Sequence, residues 1–338
     1  MNKSAAMVRV ALVGLGPIGI EVGRILAGRA SVTILGGADP SPNLVGRDLA
    51  QLFTGKEGGS PIVAAAPALY ADSAAARGRS DVAILCTGSR LAEVASQVEE
   101  ALVAGLHVVS TCEELSFPYL RSSRLAERLD ALAREHERVV LGTGVNPGLV
   151  MDRLVLAAAG ACVRVARVRV ERVVDVAQRR GPLRVKVGAG LSPDEFRAGV
   201  AQGKLGHVGL AESAALVARG LGVVVCDIKE SIEPVIATTD TAGVAAGRVL
   251  GVHQTARVVS AGGELIELDL SMYVGARDPY DHIRIDGDPP VDLRVAGGFQ
   301  GDRATVGTVV NALPFVVGGR VDGLAQPGHL DPLLARLV

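Results

Sequence analysis

Residues Val10–Gly19 read VALVGLGPIG. An apolar run meets glycines at 14, 16 and 19. That pattern is weak by itself, because 42 of the 338 residues are glycine and chance matches are cheap. Its surroundings make it decisive. Val8–Val13 has the pattern of a buried strand, Pro17–Ala27 that of a helix, and a second strand over Val32–Leu35 leads to Asp39. An acid about 20 residues beyond the last glycine completes a dinucleotide-binding βαβ unit. Gly14 permits the tight turn, Gly16 lets backbone approach a pyrophosphate, and Gly19 lets helix and strand pack closely. Pro17 and Ile18 open the helix, whose unpaired N–H groups and positive dipole end suit phosphate. Asp39 would accept from ribose hydroxyls and repel a 2′-phosphate, which favours NAD. Arg47 follows closely enough to keep NADP open.

Outward from this unit the pattern repeats. Asp81–Cys86, His107–Thr111 and Val139–Gly142 are further apolar strands, separated by helical stretches at Leu91–Ala104 and Ser122–Glu135. Strands alternating with helices imply a parallel sheet covered on both faces. Ligands in such a sheet lie at the carboxyl ends of the strands. The loops there hold Thr87 and Ser89, Thr111, and Asn146, all cofactor-binding candidates, with a generic turn as the competing reading for Thr87 and Ser89. After about residue 150 the character changes. Val165–Val174 alternates apolar and charged residues, as a half-exposed antiparallel strand does, and Glu264–Val274 and Ile283–Val295 look similar. Helices are expected near Pro193–Ala201 and Glu212–Leu221, and Ala304–Leu313 reads as a last helix returning to the first domain. The expected fold is therefore α/β: a Rossmann-type doubly wound parallel sheet over 1–150, an α+β domain with an open mixed or antiparallel sheet over 151–300, and a C-terminal segment, 301–338, packing back on the first domain.

Composition narrows the functional classes. Net charge is −1 and aromatics are 3% with no Trp, which argues against nucleic acid or an anionic membrane surface as partner. The cysteines, Cys86, Cys112, Cys162 and Cys226, have no spacing of a metal knuckle or redox pair, so no metal is expected and a reducing compartment is. The opening MNKSAAMVRV runs into the first strand with no apolar leader, which suggests a cytoplasmic protein.

One feature resists a purely structural reading. The strand His107–Thr111 runs into Cys112 and then two adjacent acids, Glu113 and Glu114, before Pro118. Acids can favour the start of a following helix. They can also sit beside the nicotinamide, where a carboxylate orients a cationic nitrogen and exchanges its proton. Adjacent residues rarely share one environment, so one acid is expected to face the site and the other to be structural. Spacing does not say which.

The segments STCEEL, LGTGVNPG, ERVVDVAQRRGPL and HVGLAES together resemble the 2,4-diaminopentanoate dehydrogenases and related native amine dehydrogenases, whose first domain is like that of dihydrodipicolinate reductase. The resemblance covers most of the chain. It implies reversible NAD(P)-dependent oxidative deamination of a primary amine to a ketone and ammonia, a homodimer, and a catalytic Glu at the end of a first-domain strand. That role carries onto Glu113 or Glu114. The Glu-Lys-Pro of similar oxidoreductases leans it toward Glu114, although neither Lys nor Pro follows Glu113 here. Arg179, Arg180 and Lys186 match the family's substrate wall, with exposed sheet-edge roles as the alternative. His207 lies in a matched segment, and Thr305, Thr308 and Asn311 lie on a helix that would border the nicotinamide unless they serve the core. Two other readings stand beside this one. A dihydrodipicolinate reductase would carry adjacent histidines and a Lys-x-Asp-x-Pro-Ser-Gly-Thr run, both absent here. A dinucleotide sensor would bind cofactor and turn nothing over.

Overall fold

The computed structural model describes residues 7–55, 63–64, 81–177, 181–318 and 323–327. The chain divides into two compact units, Met1–Gly148 with Gly301–Val338, and Leu149–Gln300.

The first unit is built on a parallel sheet in the order β13-β6-β5-β4-β1-β2-β3. Its strands are β1 (Val8–Val13), β2 (Val32–Ala38), β3 (Val63–Ala64), β4 (Val82–Leu85), β5 (His107–Ser110), β6 (Val139–Gly142) and β13 (Gly323–Ala325). Strand order reverses between β1 and β4, the switch point where such sheets open a crevice. Alternation along the strands serves two cores. Val10, Leu12, Ile84, Val109 and Leu141 face α1 (Pro17–Ala27), α2 (Leu49–Thr54) and the C-terminal helix Gly301–Val317. Val13, Ala83, Leu85, Val108 and Val140 face α3 (Leu91–Val103) and α4 (Ser123–Glu135). Burial on both faces is what makes β4 and β6 wholly apolar. β2 runs on through Gly36 and Gly37, beyond the expected end at Leu35. A Cβ at Gly37 would come within 2.7 Å of Leu49 Cδ2, so a side chain there would require the Leu49 methyl to shift.

The second unit holds a six-stranded sheet, β12-β11-β7-β10-β9-β8. The strands are β7 (Arg164–Asp175), β8 (Asp227–Ile236), β9 (Val249–Ser260), β10 (Gly263–Tyr273), β11 (Tyr280–Asp288) and β12 (Val291–Ala296). One expectation is met and one needs correction. β7 is antiparallel to β11 but parallel to β10, so the sheet is mixed, one of the two forms expected. The long intervening chain supplies the crossover that a parallel pair needs. The run Ile283–Val295 is two strands, broken at Pro289 and Pro290, which lack the N–H a ladder requires. β8 and β9 were not anticipated. β8 lies at the sheet edge, which is why it tolerates Pro234.

Among the described residues, four helices complete this unit: α5 (Arg153–Ala159), α6 (Gly181–Lys186), α7 (Pro193–Ala201) and α8 (Leu210–Gly220). In α7, Ser192 and Glu195 form the reciprocal cap that Ser-Pro-Asp-Glu implies. The C-terminal helix, α9, extends past the expected Leu313 and carries Pro314 inside it. No helix among the described residues is long and apolar enough to cross a membrane.

Candidate functional site

The carboxyl ends of β1, β2, β4, β5 and β6 carry nearly every candidate of the first unit. Each glycine of the loop has a distinct geometric duty. Gly14 has φ +83°, and a Cβ there would meet the Cys86 carbonyl oxygen at 2.6 Å. At Gly19 a Cβ would lie 1.9 Å from the Gly14 oxygen, so helix and turn touch through backbone. Gly16 differs: a Cβ there meets nothing within 4 Å. The space beside Gly16, at the N-cap of α1, is where a pyrophosphate would sit. α1 has no side-chain cap and no acid in its first turn, so neither competes with an incoming anion. Pro17 and Ile18 form that first turn. The residues present thus fit a dinucleotide.

Asp39 follows β2, half-buried. Its Oδ2 accepts the Leu15 N–H at 2.7 Å and its Oδ1 the Ser41 N–H at 2.8 Å. Thr87 is exposed, and its hydroxyl donates to Gln97 Oε1 at 2.6 Å. The Ser89 carbonyl accepts from the Glu114 N–H at 3.2 Å and the Cys112 thiol at 3.3 Å. The loop after β4 is thereby laced to the loop after β5. Thr111 bonds the Cys86 thiol, which burial nevertheless pushes up to about 12; burial does the same to Cys112. Both thiols stay protonated at neutral pH and are poor nucleophiles.

The two acids separate. Glu114 is buried, opening a 3-10 turn over Glu114–Ser116. Its Oε2 accepts the Leu91 N–H at 2.8 Å, and its Oε1 lies 3.5 Å from the Arg90 guanidinium. Leu91 is the first residue of α3, so Glu114 satisfies an orphan donor of that helix and meets its positive end. Glu113 precedes the turn and is half-buried.

The loop after β6 joins this group. Gly142 has no room for a Cβ, which would meet the Leu115 and Ser116 backbone at 2.5–2.6 Å. The Val145 N–H donates to Thr305 Oγ1 at 3.2 Å, which docks α9 onto the loop, and Asn146 beyond it is buried. Thr308, one turn further along α9, is also buried, and its hydroxyl donates to the Thr305 carbonyl at 2.8 Å. Its one donor is thus used within its own helix, while its acceptor lone pairs remain. Asn311 takes a contact from Arg29 at 3.2 Å, beside α1.

The remaining candidates belong to the second unit. His207 is half-buried before α8, with its backbone held from both sides by the buried Gln254: N–H to Oε1 at 2.9 Å and carbonyl to Nε2 at 3.0 Å. Lys186 ends α6. Arg179 and Arg180 lie outside the described residues. A polar cluster in this unit was not foreseen. Asp152, fully buried, accepts the Arg153 N–H at 2.6 Å and the Ser213 hydroxyl at 2.8 Å. Ser213 and the buried Glu212 lie in the first turn of a helix that is otherwise apolar up to Arg219 in its last turn. The polar pair inside HVGLAESAALV was the signal that could have found them. Among the described residues, no group of three or more His, Cys, Asp or Glu could hold a metal ion.

Comparison with known proteins adds to this geometry. Residues 149–330 match the family model described as the 2,4-diaminopentanoate dehydrogenase C-terminal domain. A 2,4-diaminopentanoate dehydrogenase of Acetoanaerobium sticklandii is 28% identical over 325 residues, covering 93% of this chain and 90% of that one. Among solved structures, an amine dehydrogenase from Mycobacterium smegmatis superposes with a TM-score of 0.83 at 23% identity, covering 97% of both chains. A biliverdin reductase of Synechocystis sp. PCC 6803, solved with biliverdin and NADP+, has a TM-score of 0.57 at 14% identity, over 93% of this chain and 92% of that one. The last two likenesses establish the fold.

Proposed function

Since the chain belongs to the 2,4-diaminopentanoate dehydrogenase family, we propose that it is an NAD(P)-dependent amine dehydrogenase, converting a primary amine and water to a ketone and ammonia. The observation that carries this reading is the turn after β5. That turn follows the strand next to β4, on one side of the β1–β4 switch point, and carries two adjacent acids, one of them engaged by the N-terminus of α3.

The nicotinamide, when bound, accepts the hydride; the chain's residues manage the rest. Gly14, Gly16, Gly19 and the start of α1 would hold the pyrophosphate, and Asp39 the adenosine ribose. Thr87, Ser89, Thr111 and Asn146, after β4, β5 and β6 on the other side of β1 from β2, would line the path from the pyrophosphate toward the nicotinamide. An amine arrives as its ammonium and must lose a proton before its carbon can give up hydride. Glu113 is suited to take that proton and release it to solvent, and the carboxylate so restored would stabilise the iminium that develops. Water adds to the iminium carbon, and ammonia leaves. Glu114 is better suited to hold the turn than to react, because its carboxylate is buried and hydrogen-bonded to Leu91. This favours Glu113 over the Glu114 of the Glu-Lys-Pro analogy.

The substrate is 2,4-diaminopentanoate or a small aliphatic or cyclic amine. A diamino acid would need a cation for its carboxylate, for which Arg179 and Arg180 are candidates, with His207 on the same unit. A homodimer is the assembly the resemblance implies, and sedimentation would test it.

An amine panel at alkaline pH with NAD and NADP, followed by absorbance of the reduced cofactor, tests the activity. Tight cofactor binding with no turnover of any amine would turn the reading toward a sensor. Glu113→Gln should lower kcat by about 10²–10⁴-fold with cofactor affinity near wild type. Glu114→Ala should instead cost stability, on the order of 1–3 kcal/mol, because it leaves the Leu91 N–H without its acceptor. The opposite pattern would assign the proton to Glu114.

A further inference from the structure

Asp39 offers more than a ribose acceptor. Its two oxygens reach two different loops. Oδ2 takes the N–H of Leu15, which lies between the turn glycine Gly14 and the open Gly16. Oδ1 takes the N–H of Ser41. Ser41 in turn organises the loop beyond β2: its carbonyl accepts the N–H groups of both Leu44 and Val45. Gly46 continues that turn with φ +84°, and its N–H donates to the Val63 carbonyl on the edge strand β3. One side chain thus spans the phosphate turn and the turn that would flank the adenosine ribose.

We infer that Asp39 is a positioning residue that clamps the glycine loop to the Ser41–Gly46 turn, so that removing it weakens both nicotinamide cofactors instead of switching the chain to NADP. The inference rests on the dinucleotide reading and deepens it. The usual expectation treats the acid after β2 as a selectivity gate: remove its charge, and a 2′-phosphate becomes welcome. Here removal also leaves the Leu15 and Ser41 N–H groups without their acceptor. Leu15 is 1% exposed, so water replaces that acceptor poorly. The loop that approaches the pyrophosphate then loses its fixed geometry, and every dinucleotide shares that pyrophosphate. Relief of repulsion at the ribose is offset by disorder at the phosphate. Each oxygen keeps a lone pair for a ribose hydroxyl, so the clamp and the ribose contact are compatible.

The test begins without cofactor. Amide hydrogen exchange is measured on the wild-type protein, Asp39→Ala and Asp39→Asn. Bonds to a carboxylate are strong enough that the Leu15 and Ser41 amides should exchange about tenfold faster or more in Asp39→Ala. Leu12 and Ile84, in the strands beneath, should stay within about threefold. Asp39→Asn keeps the size and one acceptor oxygen, so at least one of the two amides should accelerate, which preserves the test if the alanine variant does not fold. Titration with NAD and with NADP should then show both dissociation constants rising by similar factors, about tenfold. Unchanged exchange at Leu15 and Ser41 would overturn the clamp. So would tighter NADP binding in either variant. If the wild-type protein binds neither cofactor, the dinucleotide reading fails, whereas the exchange result still decides whether Asp39 holds the two loops.

Discussion

The two sheets of this molecule handle polarity in opposite ways. In the first, the strands are apolar on both faces, and polar side chains collect at the carboxyl ends, where Asp39, Thr87, Thr111, Glu113 and Asn146 lie. In the second, one face packs on the buried helix α8 while the other is a lattice of paired charges. Arg257 bonds Glu267 at 2.8 Å, His253 bonds Asp269 at 2.9 Å, and Glu171 accepts from both the Tyr280 hydroxyl at 2.9 Å and Arg284. Charge is scarce in the first sheet, so a carboxylate at a strand end stands out. It is abundant in the second, where it balances within the face and marks no site.

That contrast can be broken at its strongest exception. Arg172 and Asp281 form an ion pair at 2.6 Å on the packed side of the second sheet, with side-chain exposures of only 4% and 2%. Arg172 also donates to the Phe299 carbonyl at 2.9 Å, and Asp281 accepts the Phe299 N–H at 2.7 Å. The pair therefore fixes the loop that follows β12. Arg172→Ala should cost about 3–5 kcal/mol, because it strands a buried carboxylate. Urea denaturation would measure it. Replacing both partners by apolar residues of similar volume should restore most of that loss. A single variant within about 1 kcal/mol of wild type would show that water reaches the site.

The first unit has its own exception, in thiols. Cys86 and Cys112 are held near 12, well above the ordinary thiol value near 9, chiefly by burial. Below pH 9 the folded and unfolded chains both keep these protons, and nothing changes. Between pH 9 and about 12 the unfolded chain releases protons that the folded chain retains, so stability falls as pH rises. The expected slope is about 1.4 kcal/mol per pH unit for each thiol. Cys112→Ala should remove about half of the two-thiol contribution when denaturation midpoints at about pH 8 and about pH 10.5 are compared. A slope unchanged from wild type would place water beside the thiol.

The same contrast governs how far the sequence could be read. The βαβ signal at Val10–Gly19 and Asp39 was legible because glycines, strand, helix and acid each answer to a separate physical constraint. The second sheet was harder. Alternation identifies a half-buried strand such as β7, but it does not carry partner direction, which is why the parallel β7–β10 pair was missed. β8 was hidden by Pro234, and the end of α9 by Pro314, since both break local patterns that tertiary packing overrides. At the site, Glu113 and Glu114 were visible as a pair. That Glu114 is held by the start of α3 was not, because its donor is the backbone of Leu91, and a backbone N–H leaves no mark in a sequence. The two hydrogen bonds that Asp39 accepts were hidden for the same reason.

The smallest effect tests the contrast most sharply. If the charged face of the second sheet is a balanced lattice, cutting one of its pairs should matter little. Arg257 and Glu267 are each more than a third exposed, at 39% and 35%, although their bond is short at 2.8 Å. Such pairs contribute about 0–1 kcal/mol, because water and salt screen them and two long side chains lose freedom in forming them. Arg257→Ala should therefore shift stability by less than about 1 kcal/mol at low salt, and the difference should shrink further in about 1 M salt, where the screening length is about 3 Å. Glu264 also lies within reach of Arg257, at 4.0 Å, so Glu267→Gln alone should cost even less. A loss comparable to that of Arg172→Ala would mean that the face is covered in the working protein, where screening fails and each pair counts as buried. The size of this one substitution thus separates a solvated sheet face from an interface, whatever the covering surface is.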